Sequence, residues 1–126
     1  KNLNKFLHSI LKFIDICFLS GEDLNFWKND NTVKCFEKIM TKYKIVHGVF
    51  RKNAHISYAI HNKIKYIKKN KIIKKVVDTS GAGDGFNAAY LSNFIVNNNP
   101  TLALKVASRL GSKIIMQKGA IVDVKY

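Results

Sequence analysis

One segment constrains this chain more than any other: Asp78-Thr79-Ser80-Gly81-Ala82-Gly83-Asp84-Gly85. Ahead of it, Ile72 to Val77 reads as a β-branched strand. Behind it, Phe86, Ala89, Tyr90 and Phe94 fall at helical spacing. The pattern predicts a strand that feeds a loop of small residues, with a helix starting inside the loop. Gly81 and Gly83 let the backbone approach a ligand closely and take up φ values barred to other residues. The first amides of the helix have no internal acceptors, and the positive end of the helix dipole lies behind them. Such a terminus holds an anion, and phosphate is the usual one. A Walker A loop is excluded, because no Gly-Lys-Ser/Thr follows. The dinucleotide fingerprint is excluded too, because Phe86 stands where it needs a glycine. Asp84 is the unexpected residue, since a carboxylate beside a bound phosphate repels it. A reaction that takes a proton from a hydroxyl as it attacks phosphorus has a use for one. The residues leave two readings open: Asp84 as a general base, or a glycine turn with Asp84 as a helix cap.

The rest of the chain predicts strands alternating with helices. Lys1 to Leu11 reads as the end of a helix, with Leu3, Phe6, Leu7 and Ile10 at helical spacing. Ile14 to Leu19 is a short buried strand, and Glu22 to Trp27 a helical turn. Thr32 to Tyr43 is a helix with Val33, Phe36, Ile39 and Met40 on one face. Ile45 to Phe50 is a strand. His55 to Ile60 and Ile64 to Ile67 flank His61-Asn62-Lys63 as a hairpin. Asn99 caps a helix that Pro100 opens, which carries Leu102, Val106, Leu110 and Ile114 and ends before Gly119. This alternation indicates an α/β layer fold. No repeat or linker divides the chain, and 126 residues suit one domain.

Composition adds a question about partners. The 22 Lys+Arg against 8 Asp+Glu leave a formal charge of +14. Nearly all of the bases are Lys; only Arg51 and Arg109 are Arg, the residue that forks onto phosphate and reads guanine. The densest cluster, Lys63, Lys65, Lys68, Lys69, Lys71, Lys74 and Lys75, alternates with Ile64, Tyr66, Ile67, Ile72 and Ile73. It reads as a solvated strand face beside a buried one, not a nucleic-acid patch. Cys17 and Cys35 lack metal spacing, and Cys17 reads as a small buried hydrophobe in a reduced, cytoplasmic setting. His8, His47, His55 and His61 show no paired metal spacing and read as structural or solvated. Trp27 and Tyr90 read as core. No run approaches the about 18 apolar residues a membrane helix needs, and no signal peptide opens the chain. A first residue of Lys1 reads as a fragment or a processed product.

The segment from Asp78 to Asp84, between a Val-Val strand end and Phe86-Asn87-Ala88-Ala89-Tyr90, resembles the C-terminal signature of the PfkB/ribokinase family of carbohydrate kinases. Asp15-Ile16-Cys17-Phe18-Leu19-Ser20 with Glu22-Asp23 resembles the family's mid-chain strand and its Asn-x-x-Glu element. Gly119-Ala120-Ile121 resembles its C-terminal Gly-Ala loop. The resemblance covers residues 1–126 and implies the C-terminal portion of a ribokinase-like three-layer α/β/α sandwich. The N-terminal half, with most of the sugar pocket and the lid, would lie outside it.

The resemblance also implies roles. Asp84 would be the general base for the acceptor hydroxyl. The amides of Gly81, Ala82 and Gly83 would form an anion hole for the transferring phosphoryl group. Asp78, with the backbone near Ser80 and the Gly119 loop, would hold the monovalent cation, such as potassium, that some members use. Asp23 would help organise Mg2+ and ATP through water. Ser108 falls where members place Asn or His near the adenine. Phe18-Leu19-Ser20-Gly21-Glu22-Asp23-Leu24 with Trp27, and Gln117-Lys118-Gly119-Ala120-Ile121, resemble 2-keto-3-deoxygluconate kinases most, with fructokinase-like and ribokinase-like members next.

Departures from the family pattern are visible as well. Ser20 replaces the usual Asn and Asp23 the usual Glu. In place of a Gly-x-x-Gly turn after the Ile45 strand there is a displaced Gly48, and bulky Phe50 and Arg51 stand where small residues are expected. The expected activity is ATP-dependent phosphorylation of a sugar or sugar-acid hydroxyl, with the 126 residues inactive by themselves. The full-length protein would be a possible homodimer with no nucleic-acid or membrane partner. The competing expectation is a degenerate remnant that phosphorylates nothing.

Overall fold

A computed structural model describes residues 2–123. It divides into two compact units, Lys1–Lys69 and Asn70–Tyr126. In the first, a helix α1 (Asn2–Leu11) precedes strand β1 (Ile16–Ser20), followed by α2 (Gly21–Lys28) and α3 (Val33–Tyr43). Then come strands β2 (His47–Arg51), β3 (Ile56–His61) and β4 (Ile64–Lys69). The four strands form one sheet in the order β1-β2-β3-β4. β1 runs parallel to β2, and the pairs β2/β3 and β3/β4 are antiparallel. The expected elements are present here, shifted by one or two residues at their ends. Lys1, where the expected helix end opens the chain, lies outside the described residues.

Local chemistry explains these boundaries. Ser20 caps α2 in a reciprocal box: its Oγ accepts from the Asp23 amide at 3.0 Å, and Asp23 Oδ2 accepts from the Ser20 amide at 3.1 Å. Thr32 caps α3, accepting from the Cys35 amide at 3.2 Å. Asn29 closes α2 in the left-handed region at φ 52°. Asn62 and Lys63, at φ 50° and 67°, make the two-residue loop between β3 and β4. Two positive φ values match the right-handed twist of the flanking strands.

The first core gathers Leu11, Cys17, Leu24, Phe36, Ile39, Met40, Ile45, Phe50 and Ile60. Phe36 of α3 stacks on Phe50 of β2 with ring centroids 5.3 Å apart. Gly48 is buried in the middle of β2, where a Cβ would stand 2.5 Å from Met40 Sδ and 2.8 Å from Phe36. Gly48 and Phe50 are therefore packing residues. The glycine lets α3 approach the sheet and the phenylalanine fills the space beside it. Cys17 is buried, as expected, and burial pushes its thiol up to about 11.

Two expectations fail. β4 does not split into a solvated and a buried face, since Ile64 and Ile67 are 58% and 56% exposed. β4 closes the sheet at its far edge, and the side it turns to α3 presents Lys65, whose Nζ sits 2.8 Å from Glu37 Oε1. The predicted strand Ile72–Val77 does not form either; residues 70–79 carry no regular structure apart from a bend. A strand is defined by a ladder partner. The amides of Val77 and Asp78 instead both donate to the single carbonyl of Ile115, at 2.8 and 3.2 Å.

The second unit is a helical pair, α4 (Ala82–Asn97) and α5 (Pro100–Ile114). Asn98 ends α4 at φ 47°, and Asn99 starts α5, its side chain accepting from the Leu102 amide at 3.0 Å. Phe86, Ala89 and Tyr90 of α4 and Ala103, Leu104, Ala107 and Ile114 of α5 are buried. Among the described residues no helix is long and apolar enough to cross a membrane.

Candidate active site

The conspicuous loop lies at the N-terminus of α4, within the second unit. Gly81 is the N-cap residue, at φ 73°. A Cβ there would come within 2.5 Å of the Ala120 carbonyl oxygen. The left-handed backbone and the close approach together demand glycine at this position. No side chain caps α4. The Ala82 amide donates to the Thr79 carbonyl at 3.3 Å, a long bond, and the Gly85 amide begins the helical ladder by donating to Gly81 at 2.9 Å. The amides of Gly83 and Asp84 precede that ladder, so the dipole end of a 16-residue helix is left open for an anion.

Asp78 fastens this loop to the chain's C-terminal turn. Its Oδ1 accepts from the Ser80 amide at 2.8 Å, and its Oδ2 accepts from the Gly119 amide at 2.9 Å. The bonds from Ser80 and then Gly119 hold its carboxyl below the usual carboxylate range. Gly119 itself sits at φ 95°. Asp84 occupies the third position of α4 and is exposed. It is not the helix cap, which is Gly81, so the capping alternative is excluded by position.

The remaining candidates are distributed as follows. Ser80, Gly81, Ala82, Gly83 and Asp84 form one continuous turn with Asp78. Ser108 lies on α5, its hydroxyl oxygen buried and without a hydrogen-bond partner. An orphaned buried hydroxyl is unusual, because helical serines commonly bond back to a carbonyl. Asp23 belongs to the first unit, where Ser20 Oγ also donates to its Oδ2 at 2.7 Å. Among the described residues no group of three His, Cys, Asp or Glu side chains gathers as a metal cage. Sequence reasoning overlooked the Ile115 and Thr79 carbonyls, which shape the loop through backbone atoms. No side-chain identity signals such a role.

Comparison with known proteins gives the fold and the family. A 2-dehydro-3-deoxygluconokinase of Haemophilus influenzae is 39% identical over 51 residues, which are 40% of this chain and 16% of that protein. A fructokinase from Vibrio cholerae O395, solved with fructose, ADP and calcium ion bound, superposes with a TM-score of 0.81 at 23% identity. The match covers 94% of this chain and 40% of that one. An adenosine kinase from Sinorhizobium meliloti superposes with a TM-score of 0.81 at 19% identity, over 95% of this chain and 37% of its own. The chain thus spans well under half the length of these relatives. The fold is that of part of a ribokinase-like α/β domain. The sequence pattern of the pfkB family carbohydrate kinases matches residues 4–125, so with the glycine loop and the open helix end in place, this chain belongs to that family.

Proposed function

We propose that these residues are the C-terminal portion of an ATP-dependent kinase that phosphorylates a hydroxyl of a sugar acid, 2-keto-3-deoxygluconate. The observation that carries the reading is the open N-terminus of α4 with Asp84 in its first turn. Amides aimed outward bind phosphoryl oxygens, and a carboxylate beside them is placed to take a proton from an attacking hydroxyl. The acceptor hydroxyl gives its proton to Asp84 as its oxygen attacks the γ-phosphorus, and ADP departs in line. The Gly81, Ala82 and Gly83 backbone meets the charge that develops on the transferring group. Gly83 is best placed, because the Ala82 amide already has a weak acceptor. The choice of sugar acid is supported by the Haemophilus influenzae relative, which carries that name.

Nucleotide and ions fit this chain unequally. Mg2+ bound with ATP would neutralise phosphate charge. Asp23 would reach it only through water, since Ser20 already occupies its Oδ2. The Asp78 carboxylate accepts two amides, and it belongs to no group of three or more His, Cys, Asp or Glu side chains among the described residues. One carboxylate with backbone oxygens suits a weakly held monovalent cation better than a divalent cage. Ser108 would lie on the adenine side, the role the family resemblance implies for it; its hydroxyl is buried and without a partner.

The test is a coupled assay on the polypeptide that carries these residues, with 2-keto-3-deoxygluconate, fructose and ribose. Asp84→Asn should lower kcat by at least a hundredfold with ADP binding unchanged. Turnover retained by that variant removes the base assignment; turnover of fructose or ribose alone removes the substrate.

A further inference from the structure

A cavity of about 720 Å³ opens in the first unit, between the last turns of α3 and the loop that joins β3 to β4. Glu37, Met40 and Lys44 line it from α3, at the three- and four-residue spacing that puts them on one helix face. Its walls are tied together by bonds already described or equivalent to them. The Ile45 amide donates to the Met40 carbonyl at 2.9 Å, and the Asn62 amide to the Val46 carbonyl at 3.1 Å. Lys65 of β4 reaches Glu37 of α3 at 2.8 Å. A preformed, largely apolar hollow of about 300–1,000 Å³ with a few polar groups is the usual form of a small-molecule site. This one lies where β2 begins and β3 ends. The carboxyl ends of the parallel pair, at Ser20 and Arg51, are at the other end of the sheet. Ligands of open α/β sheets ordinarily bind at the carboxyl ends, so the cavity is a separate place.

Its chemistry is uneven. Met40, Ile45 and Ile60 are buried in its floor, and Val46 on the rim is 53% exposed. Two exposed cations, Lys44 and Lys63, stand over this apolar floor, and among the described residues neither has an acidic partner. Glu37, the acid of the lining, is neutralised by Lys65. The last carbonyls of α3 do not oppose an anion, because the Lys44 and Ile45 amides take the Thr41 and Met40 oxygens. Lys63 holds φ 67° at the second position of the hairpin loop, where glycine is the usual residue. A side chain kept at a strained position suggests a use for what it carries.

We infer that this cavity binds a small ligand with an apolar body and one anionic group, a carboxylate or a phosphate, set between Lys44 and Lys63. Lysine serves either group, because it acts as a point charge without the fork of arginine. A polyhydroxylated sugar acid has no such body, so the ligand is distinct from the acceptor of the phosphoryl transfer. The inference does not rest on the catalytic reading of Asp84.

The test titrates the polypeptide that carries these residues with 2-naphthylacetate, 2-naphthyl phosphate and the neutral 2-naphthylethanol, followed by amide chemical shifts. Shifts should centre on Met40, Lys44 to Val46, and Ile60 to Lys63. At least one acid should bind about fivefold more tightly than the alcohol, as two exposed ion pairs allow, and the tighter acid identifies the anionic group. Lys44→Gln with Lys63→Gln should bring the acids to the affinity of the alcohol and leave the alcohol unchanged. Both side chains are exposed, so the circular dichroism should not change. Val46→Glu, at the exposed rim, should weaken the acids more than the alcohol. Binding by none of the three, equal affinity for acids and alcohol, shifts centred on Gly81 to Asp84 or elsewhere, or an anion preference that survives the double variant each overturns the inference. The readout involves no turnover, so its failure is separate from failure of the kinase assay.

Discussion

The Asp78 carboxylate and the Gly119 amide, 41 residues apart in sequence, are joined by a 2.9 Å hydrogen bond. That bond and the one from Ser80 make one acidic side chain the fastener between the glycine loop and the C-terminal turn. Hydrogen bonds to an ionised acceptor are shorter and stronger than neutral ones.

Asp78 should therefore make the second unit acid-sensitive. Its carboxyl is held below the usual range by Ser80 and then Gly119, so its folded pKa lies under its unfolded one. The stabilisation is complete above the unfolded value, near pH 4, and is lost as pH falls through the lower folded value. Thermal melts from pH 6 to pH 2 should show this loss, and Asp78→Asn should start lower and flatten the slope. Equal slopes for the two proteins count against the fastener.

Gly81→Ala tests the loop backbone. Alanine must take φ 73° and meet the Ala120 carbonyl oxygen. The left-handed region costs about 1–2 kcal/mol for a residue with a Cβ, before the clash is added. Urea unfolding should show at least that loss, and nucleotide binding should weaken with it.

Ser20→Ala tests whether Asp23 is occupied structurally. Losing the capping box should cost about 1 kcal/mol in stability. Asp23→Asn should cost less, because the backbone amide of residue 23 still donates to the Ser20 hydroxyl. Denaturant midpoints compare the two directly.

His47 predicts a second pH dependence, in the first unit. It is buried in β2, with its Nδ1 3.0 Å from that of His61 on the paired strand. Burial, with a smaller effect from His61, lowers its pKa to about 4. A depressed histidine favours folding above its unfolded pKa near 6.5, and this is lost as pH falls towards 4. The loss should be about 2 kcal/mol. His47→Gln should reduce the dependence between pH 7 and pH 4; an unchanged slope removes His47 as its source.

Ser108→Ala separates binding from stability. Its hydroxyl is buried with no partner. Deleting an unsatisfied group should be neutral or stabilising by up to about 1 kcal/mol. The same variant should weaken ADP binding several-fold by calorimetry.

Signals carried by side chains near a backbone terminus were readable in the sequence. Asn99 before Pro100 starts α5, Thr32 starts α3, and the glycine loop starts α4, as their chemistry requires. The family signature supplied roles that composition and spacing left open between two readings of Asp84. What stayed hidden depends on partners distant in sequence. The β-branched content of Ile72 to Val77 is strand-like, yet the amides of Val77 and Asp78 find one carbonyl, Ile115, and no ladder. Gly48 and Phe50 looked like a damaged turn because their sequence neighbours say nothing of Phe36 and Met40, which fill the space above them.

The span between Asp78 and Gly119 also dictates an order of assembly. Both helices of the second unit lie inside the loop that this hydrogen bond closes. Closing a segment of that length is entropically costly until its contents are compact, so the bond forms after α4 and α5 have met. In a folding experiment, substitutions at Phe86 or Leu104 should slow refolding. Asp78→Asn should leave the refolding rate nearly unchanged and quicken unfolding instead. The anion loop would then be the last part of this unit to become ordered and the first to be released.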